Sequence, residues 1–486
     1  MPDLRALIET FVASAELPAM LDPGEEPLPL VAEQWDLSEW NGRLVLQAWD
    51  RKRNLVRRIT GLKEQQRHRL CLTTERFRNA QADLQIADLG APGGRDLGRR
   101  TSRIAFCERL RLMLAREWPE WRIEDISAEA NLEESLTPSF ARAFLRTGSS
   151  SGMAVMAAQP ETAGAGGIVA AGLIWLDYLR RREKTCAIGR LLLYVPLGME
   201  RDAAFRAGCL DPAKVDCRLF GFDERDRAGA IDPADIGNID STLPPCRRPA
   251  VPNADHGDLP EMPDVDAIEQ TDGSLSLRVR GLEFARVSAG KISCGIGRRR
   301  RSTIETARAM GREIARVRCA ENSDRMHPFY SLNPEGWIES RVRANPQAID
   351  ASLRAAPIYG QVPVFSGADR GVIDLLGIDR AGRLVVIEIK AAADPQLPFQ
   401  ALDYWLRVRK HLDAGDFARQ GYFAGHVVSP EAPRIILLAP ALEFHSTTET
   451  LLGALDPKID VMRIGLAADW RSELRVMFRL RGSERP

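Results

Sequence analysis

Gly371 to Trp405, GVIDLLGIDRAGRLVVIEIKAAADPQLPFQALDYW, constrains this 486-residue chain more than any other stretch. It reads as strand, tight turn, strand, loop and helix. Val372-Ile373-Asp374-Leu375-Leu376 is an apolar run holding one acid, and Leu384 to Lys390 is a second run rich in β-branched residues. Asp379-Arg380-Ala381-Gly382 supplies the turn between them. Side chains alternate along a strand, so Leu384, Val386, Glu388 and Lys390 share a face, and Asp374 can sit opposite them. Two carboxylates and an ammonium then project into one small volume. Isolated buried charges are costly, so such a cluster requires mutual pairing or a cation.

The donor types narrow the choice of cation. Asp374, Glu388 and the main-chain carbonyl of Ile389 make a hard oxygen set suited to Mg²⁺ or Mn²⁺. Lys390 beside them is suited to positioning or deprotonating a water. Pro398 fits the start of a helix, on which Gln400 and Tyr404 lie four residues apart and line the same pocket.

Asp374 followed by Glu388-Ile389-Lys390 resembles the metal-binding core of the PD-(D/E)XK nuclease superfamily. The helix with Gln400 and Tyr404 is similar to the QxxxY motif of its RecB-like branch, and IDRAGRLVVIEIK is similar to the C-terminal domain of NucS-type endonucleases. The resemblance covers residues 333 to 479 and departs from the family in placing Ile373 before Asp374. It implies a metal-dependent phosphodiesterase on a restriction-endonuclease-like mixed β-sheet flanked by helices, within an α/β chain. It also implies a glutamate on the helix before the sheet. Asn333-Pro334-Glu335-Gly336-Trp337-Ile338-Glu339 fits, with Asn333 as N-cap and Pro334 at the first helical position. Glu339 is the better candidate there, since Glu335 sits in the first turn and can serve the helix dipole. The implied partner is nucleic acid, DNA before RNA. A catalytically silent nucleic-acid-binding or scaffold protein on the same fold is the alternative.

Composition sets outer bounds. Basic and acidic residues balance at 67 each, so a polyanionic partner must meet a local patch. Arg298, Arg299, Arg300 and Arg301 form one, just before a helix that carries Arg308, Arg312 and Arg316 on one face. Ser302 and Glu305 have the spacing of a capping box for that helix. From 298 to 354 there are 12 Arg against 7 Asp and Glu, a local excess that supports phosphate contacts without sequence choice. Eight cysteines stand singly, with no CxxC pair, which speaks against zinc ribbons and a disulfide framework and for a reducing cytoplasm. The N-terminus has no apolar signal region, and the apolar segment from Ala163 to Leu176 is too short to span a bilayer, so no membrane is expected. The oligomeric state is not legible.

Punctuation divides the chain. Residues 1–95 read as a small β-rich domain with strands at Arg43 to Trp49 and Arg69 to Thr74, and Gly90 to Gly98 reads as a linker. Residues 100–243 read as an α/β domain, 244–273 as a Pro-rich acidic linker, 275–330 as a hairpin and basic helix, and 331–486 as the nuclease-like domain. The 100–243 segment echoes the last one. Phe140 to Ala158 mimics the later hairpin, the helix around Asp177-Tyr178 mimics that around Asp403-Tyr404, and Arg190 to Pro196 mimics Arg434 to Pro440. In the echo the acid–lysine strand has become Ala157-Ala158-Gln159-Pro160, which cannot hold a metal.

Overall fold

The computed structural model describes residues 4–484 apart from 41, 76–80, 149, 161–164, 235–240, 247–256, 271, 323 and 367–368. The architecture is mixed α/β, with four sheets among the described residues. It divides into two compact units, residues 1–203 with 216–231, and residues 204–215 with 232–486.

The first unit opens with the helix Leu4–Ser14 and a seven-stranded antiparallel sheet, in which Arg43–Trp49 and Arg69–Glu75 are both strands. Ile8 of the helix packs into its core with Met20, Leu46, Leu70 and Ile86. The glycine-rich stretch that follows is not a linker throughout. Gly93 takes φ 78 and caps a 24-residue helix, Gly94–Glu117. A Cβ on Gly94 would lie 2.2 Å from the Asp88 carbonyl, so the glycine is needed for close approach rather than for flexibility.

A six-stranded sheet follows. Arg122–Ser127, Phe140–Thr147, Ser151–Ala158, Ala187–Pro196, Asp216–Phe222 and Ala228–Ile231 cross it in that order. Successive pairs are antiparallel, antiparallel, parallel, parallel and antiparallel. The helix Ile168–Arg182 joins the third strand to the fourth, and the apolar residues Ile168 to Leu176 are buried in it. No helix among the described residues is long and apolar enough to cross a membrane.

The second unit holds a five-stranded antiparallel sheet from Val265 to Arg301. Its first strand, Val265–Glu269, falls inside the stretch read as a linker and pairs with Leu275–Val279. Prolines and acids dominate that stretch, but Val265, Ala267 and Ile268 are enough to add an edge strand. The expected hairpin is also broken once more, at Arg280-Gly281, where both residues take positive φ. The basic helix Ile304–Val317 packs Ala307 and Ile314 against Phe284. Its cap is Thr303, whose hydroxyl accepts from the Thr306 N–H at 3.3 Å, one residue past the expected Ser302.

The second six-stranded sheet runs Tyr359–Ser366, Asp369–Ile378, Leu384–Ile389, Arg434–Pro440, Val461–Leu466 and Val476–Arg481. Its pairs have the same succession of senses as the first. Pro334–Ala344 precedes it, and Leu397–Asp413 joins its third and fourth strands. One face, with Leu375, Ile387, Ile389, Ile436 and Leu438, is covered by Trp337, Ile338 and Val342. The other, with Leu376, Ile378, Leu384 and Val386, packs on Val408 and Phe417. Strand alternation therefore sends Glu388 toward the side of the Leu397–Asp413 helix.

Arg318 joins these parts. It is fully buried, lies 4.7 Å over the Trp337 ring, and donates to the carbonyls of Phe329 (2.7 Å), Arg280 (2.9 Å), Asn333 (3.2 Å) and Leu332. Four carbonyls take bonds from its two Nη atoms, leaving the buried Nε without a partner, and tie the five-stranded sheet to the start of the Pro334 helix.

Candidate active site

The hairpin places the two acids side by side. Its last described pair is Leu375 with Ile387, so Asp374 and Glu388 come next in register. Asp379 holds the turn by accepting from the N–H groups of Ala381 and Arg383, both at 2.9 Å, and Gly382 takes φ 87. Asp374 Oδ2 accepts the Ile389 N–H at 2.8 Å. Lys390 Nζ stands 3.5 Å from Glu388 Oε1 and 4.0 Å from Asp394. Glu388 is 3% exposed, and its Oε2 has no hydrogen-bond partner.

The electrostatics follow from burial and proximity. Burial pushes the Asp374 carboxyl up to about 6, opposed by the Ile389 N–H and the Lys390 charge. Burial and then the Asp374 charge push Glu388 further, to about 9. The two carboxyls act on one another across the hairpin, and the rise is larger at Glu388. Burial pulls the Lys390 ammonium down, but the charges of Glu388, Glu335, Asp374 and Asp394 outweigh it and raise it.

Both glutamates of the preceding helix lie near this pair. Asn333 caps the helix, accepting from the Gly336 N–H at 3.0 Å, and Pro334 is its first residue. Glu335 Oε1 accepts the Ala391 N–H at 3.4 Å, and its charge acts on Asp374, Glu388 and Lys390 alike. Glu339 is buried one turn further on. It accepts from Gln361 Nε2 at 2.8 Å and faces Arg343 at 3.8 Å, while a Cβ on Gly360 would lie 2.5 Å from its Oε1. Burial pushes Glu339 up to about 7, against the pull of Arg343 and Arg278, and the Asp374 charge adds to the rise. The first-turn position of Glu335, readable as a dipole contact, also aims it at the end of the Glu388 strand.

Gln400 is half-buried and its Oε1 has no partner. Tyr404, one turn on, is hydrogen-bonded by the Val372 main chain, and burial followed by the Glu388 charge pushes its phenol up to about 12. Both sit on the helix that packs against the Glu388 strand. His411 does not join them: it is buried and bonded to Ser241 Oγ at 2.8 Å and Asp416 Oδ2 at 2.7 Å.

The predicted arginine face is divided. Arg299 pairs with Glu283, Arg308 with Asp258, and Arg316 with Glu313 at 2.7 Å. Arg298, Arg300, Arg301 and Arg312 are exposed.

Among the described residues no group of three or more His, Cys, Asp and Glu side chains is arranged to hold a metal. The donor set nevertheless fits a divalent cation. Glu388 presents an unpartnered buried oxygen next to a second carboxylate, and the Asp374 charge that raises the proton affinity of Glu388 would be relieved by a cation between them.

No family model matches the chain, and no curated protein matches it. A solved structure, "Structure of EndoMS in apo form", is similar at 13% identity over 41% of this chain and 88% of that one, with a TM-score of 0.14. At that score the likeness carries no argument about this chain.

Proposed function

We propose that this chain is a metal-dependent nuclease that hydrolyses phosphodiester bonds, of DNA before RNA, on a restriction-endonuclease-like sheet. One observation carries the reading: Asp374 and Glu388 lie adjacent and buried at the end of a hairpin, with a Glu388 oxygen unpartnered and Lys390 at 3.5 Å. Asp374, Glu388 and the Ile389 carbonyl would hold Mg²⁺ or Mn²⁺. Bound there, the ion would supply Lewis-acid stabilisation of the charge that builds on the phosphodiester. Lys390, held as an ammonium by the acids around it, orients the attacking water by donating to it from Nζ. Glu335 anchors the strand end through the Ala391 N–H and adds negative charge to the cation site. Glu339 supports the helix side of the site. Gln400 and Tyr404 line the substrate side, where the free Gln400 oxygen can accept from a base or sugar. Arg298, Arg300, Arg301 and Arg312 meet the phosphate backbone.

The same contacts favour a second reading. A buried Glu388 that keeps its proton beside Asp374, with Lys390 at 3.5 Å, needs no metal, as in a silent binding protein. Cleavage of labelled single- and double-stranded DNA and RNA with Mg²⁺ or Mn²⁺ separates the two. The nuclease reading expects products from wild type and none from Asp374→Ala or Glu388→Ala. Equal inertness of all three proteins removes it.

A further inference from the structure

The two six-stranded sheets share strand order and sense, so their positions can be matched one by one. Pro196 and Pro440 each end the fourth strand. Working back, Tyr194 faces Ala157 as Leu438 faces Ile389, and Val155 faces Ala143 as Ile387 faces Leu375. The same sheet face is covered by the preceding helix in both, through Phe106 and Leu110 in one and Ile338 and Val342 in the other. This register places Arg142 at the position of Asp374, Met156 at Glu388 and Ala158 at Lys390. On the preceding helices, Cys107 feels the charge of Arg142 as Glu339 feels that of Asp374, and matching those two sets Arg103 against Glu335. The chemistry is inverted: the corresponding end carries cations and apolar side chains in place of acids. Arg142 is buried over the Trp175 ring at 5.6 Å, with its Nη1 unpartnered.

A cleft of about 830 Å³ opens at this end of the first sheet. Arg95, Arg99 and Arg103 line it from successive turns of the Gly94–Glu117 helix, with Ser102 on the same helix and Gln159 just past the Ser151–Ala158 strand. The Arg103 Nε is buried and has no hydrogen-bond partner. Among the described residues, the ion pair of Arg99 is a 3.9 Å contact with exposed Asp96. The acid on the cleft wall, Glu26, is already paired with Arg109 at 2.9 Å. Three arginines lining one concavity, with polar Ser102 and Gln159 beside them, suit phosphate oxygens.

We infer that residues 94–231 are a second copy of the same α/β unit, turned from cation binding to anion binding, and that its cleft takes a phosphate group. The phosphate belongs either to a nucleic-acid strand or to a free small molecule. The inference does not depend on cleavage at Asp374 and Glu388.

The test uses the full chain in EDTA. Fluorescence anisotropy measures binding of a labelled single-stranded oligonucleotide across a salt series, and thermal shift measures binding of inorganic pyrophosphate. The variants are Arg95→Ala/Arg99→Ala/Arg103→Ala and, at two exposed positions where folding is not at stake, Arg95→Ala/Arg99→Ala. A strand in the cleft predicts that the triple variant weakens oligonucleotide binding about tenfold or more and makes the log–log salt slope shallower by about 2, from roughly 0.7 per lost phosphate contact. The double variant shifts the same way by less. Unchanged oligonucleotide binding with a lost pyrophosphate shift supports the inference with a free phosphate as the ligand. Variants that match wild type in both assays, or a wild type that binds neither probe, overturn it.

Discussion

The Ile389 main-chain N–H donates to Asp374 Oδ2 at 2.8 Å, so the strand that carries Glu388 also holds the acid opposite it. One carboxylate oxygen of Asp374 is thereby occupied, and in the proposed site the other would face the cation. Asp374→Asn keeps an acceptor for that N–H while removing the charge. It is expected to keep the wild-type melting temperature in EDTA and to lose about 100-fold or more in Mg²⁺-dependent cleavage, at or beyond the upper end of what removing a ligand's supporting partner costs. A variant that melts normally and cuts at the wild-type rate would contradict the assignment.

Stability should fall with rising pH when no metal is present. The folded carboxyls of Asp374, Glu339 and Glu388 lie at about 6, about 7 and about 9. The same groups titrate near 4 in the unfolded chain. A raised carboxyl contributes stability that is complete below the unfolded value and is lost as pH climbs through the folded one. Melting temperature in EDTA should therefore drop between pH 5 and pH 9, and Glu388→Gln should flatten the upper part of that decline. Added Mg²⁺ should stabilise more at pH 8 than at pH 6. A melting temperature that rises over this range would refute the burial argument.

The two helix glutamates should separate by phenotype. Glu335 touches the end of the Glu388 strand from a half-buried position, whereas Glu339 is buried against Gln361 and Arg343. Glu335→Gln is expected to lower metal affinity or cleavage by roughly 10- to 100-fold with little change in stability. Glu339→Ala leaves the Gln361 amide without its acceptor and is expected to cost about 1–3 kcal/mol in urea unfolding. The reverse pattern would exchange their roles.

Binding should distinguish exposed from paired arginines. Joint replacement of Arg300, Arg301 and Arg312 by Ala should weaken DNA binding and reduce its salt dependence. Replacing Arg299 or Arg316, whose charges already face Glu283 and Glu313, should do much less. Equal losses from both sets would mean that the ion pairs open on binding.

Arg318→Met should destabilise the second unit strongly. Four main-chain carbonyls lose their donor, and a cost of about 3 kcal/mol or more is expected, by analogy with removing one partner from a buried charged pair. Hydrogen exchange across residues 328–344 should speed up selectively, and unchanged exchange there would argue against the anchoring role.

Alternation, turn residues and caps act over a few positions, and they alone determined the hairpin from Val372 to Lys390, the start of the Pro334 helix and the spacing of Gln400 and Tyr404. The helix opening at Gly94 and the edge strand Val265–Glu269 were hidden, because glycine and proline signal punctuation whether or not the flanking residues find a partner. Arg318 stood among many arginines until the carbonyls around it, up to 38 residues distant, marked it as buried. Which helix glutamate reaches the Glu388 strand, and which arginines remain free of acids, depended on packing between segments far apart in sequence. The correspondence of Arg142 with Asp374 likewise required the strand register. Local sequence determines which elements form, because propensity and periodicity are local. Tertiary structure decided which charges meet, because burial and electrostatic pairing depend on distance in space.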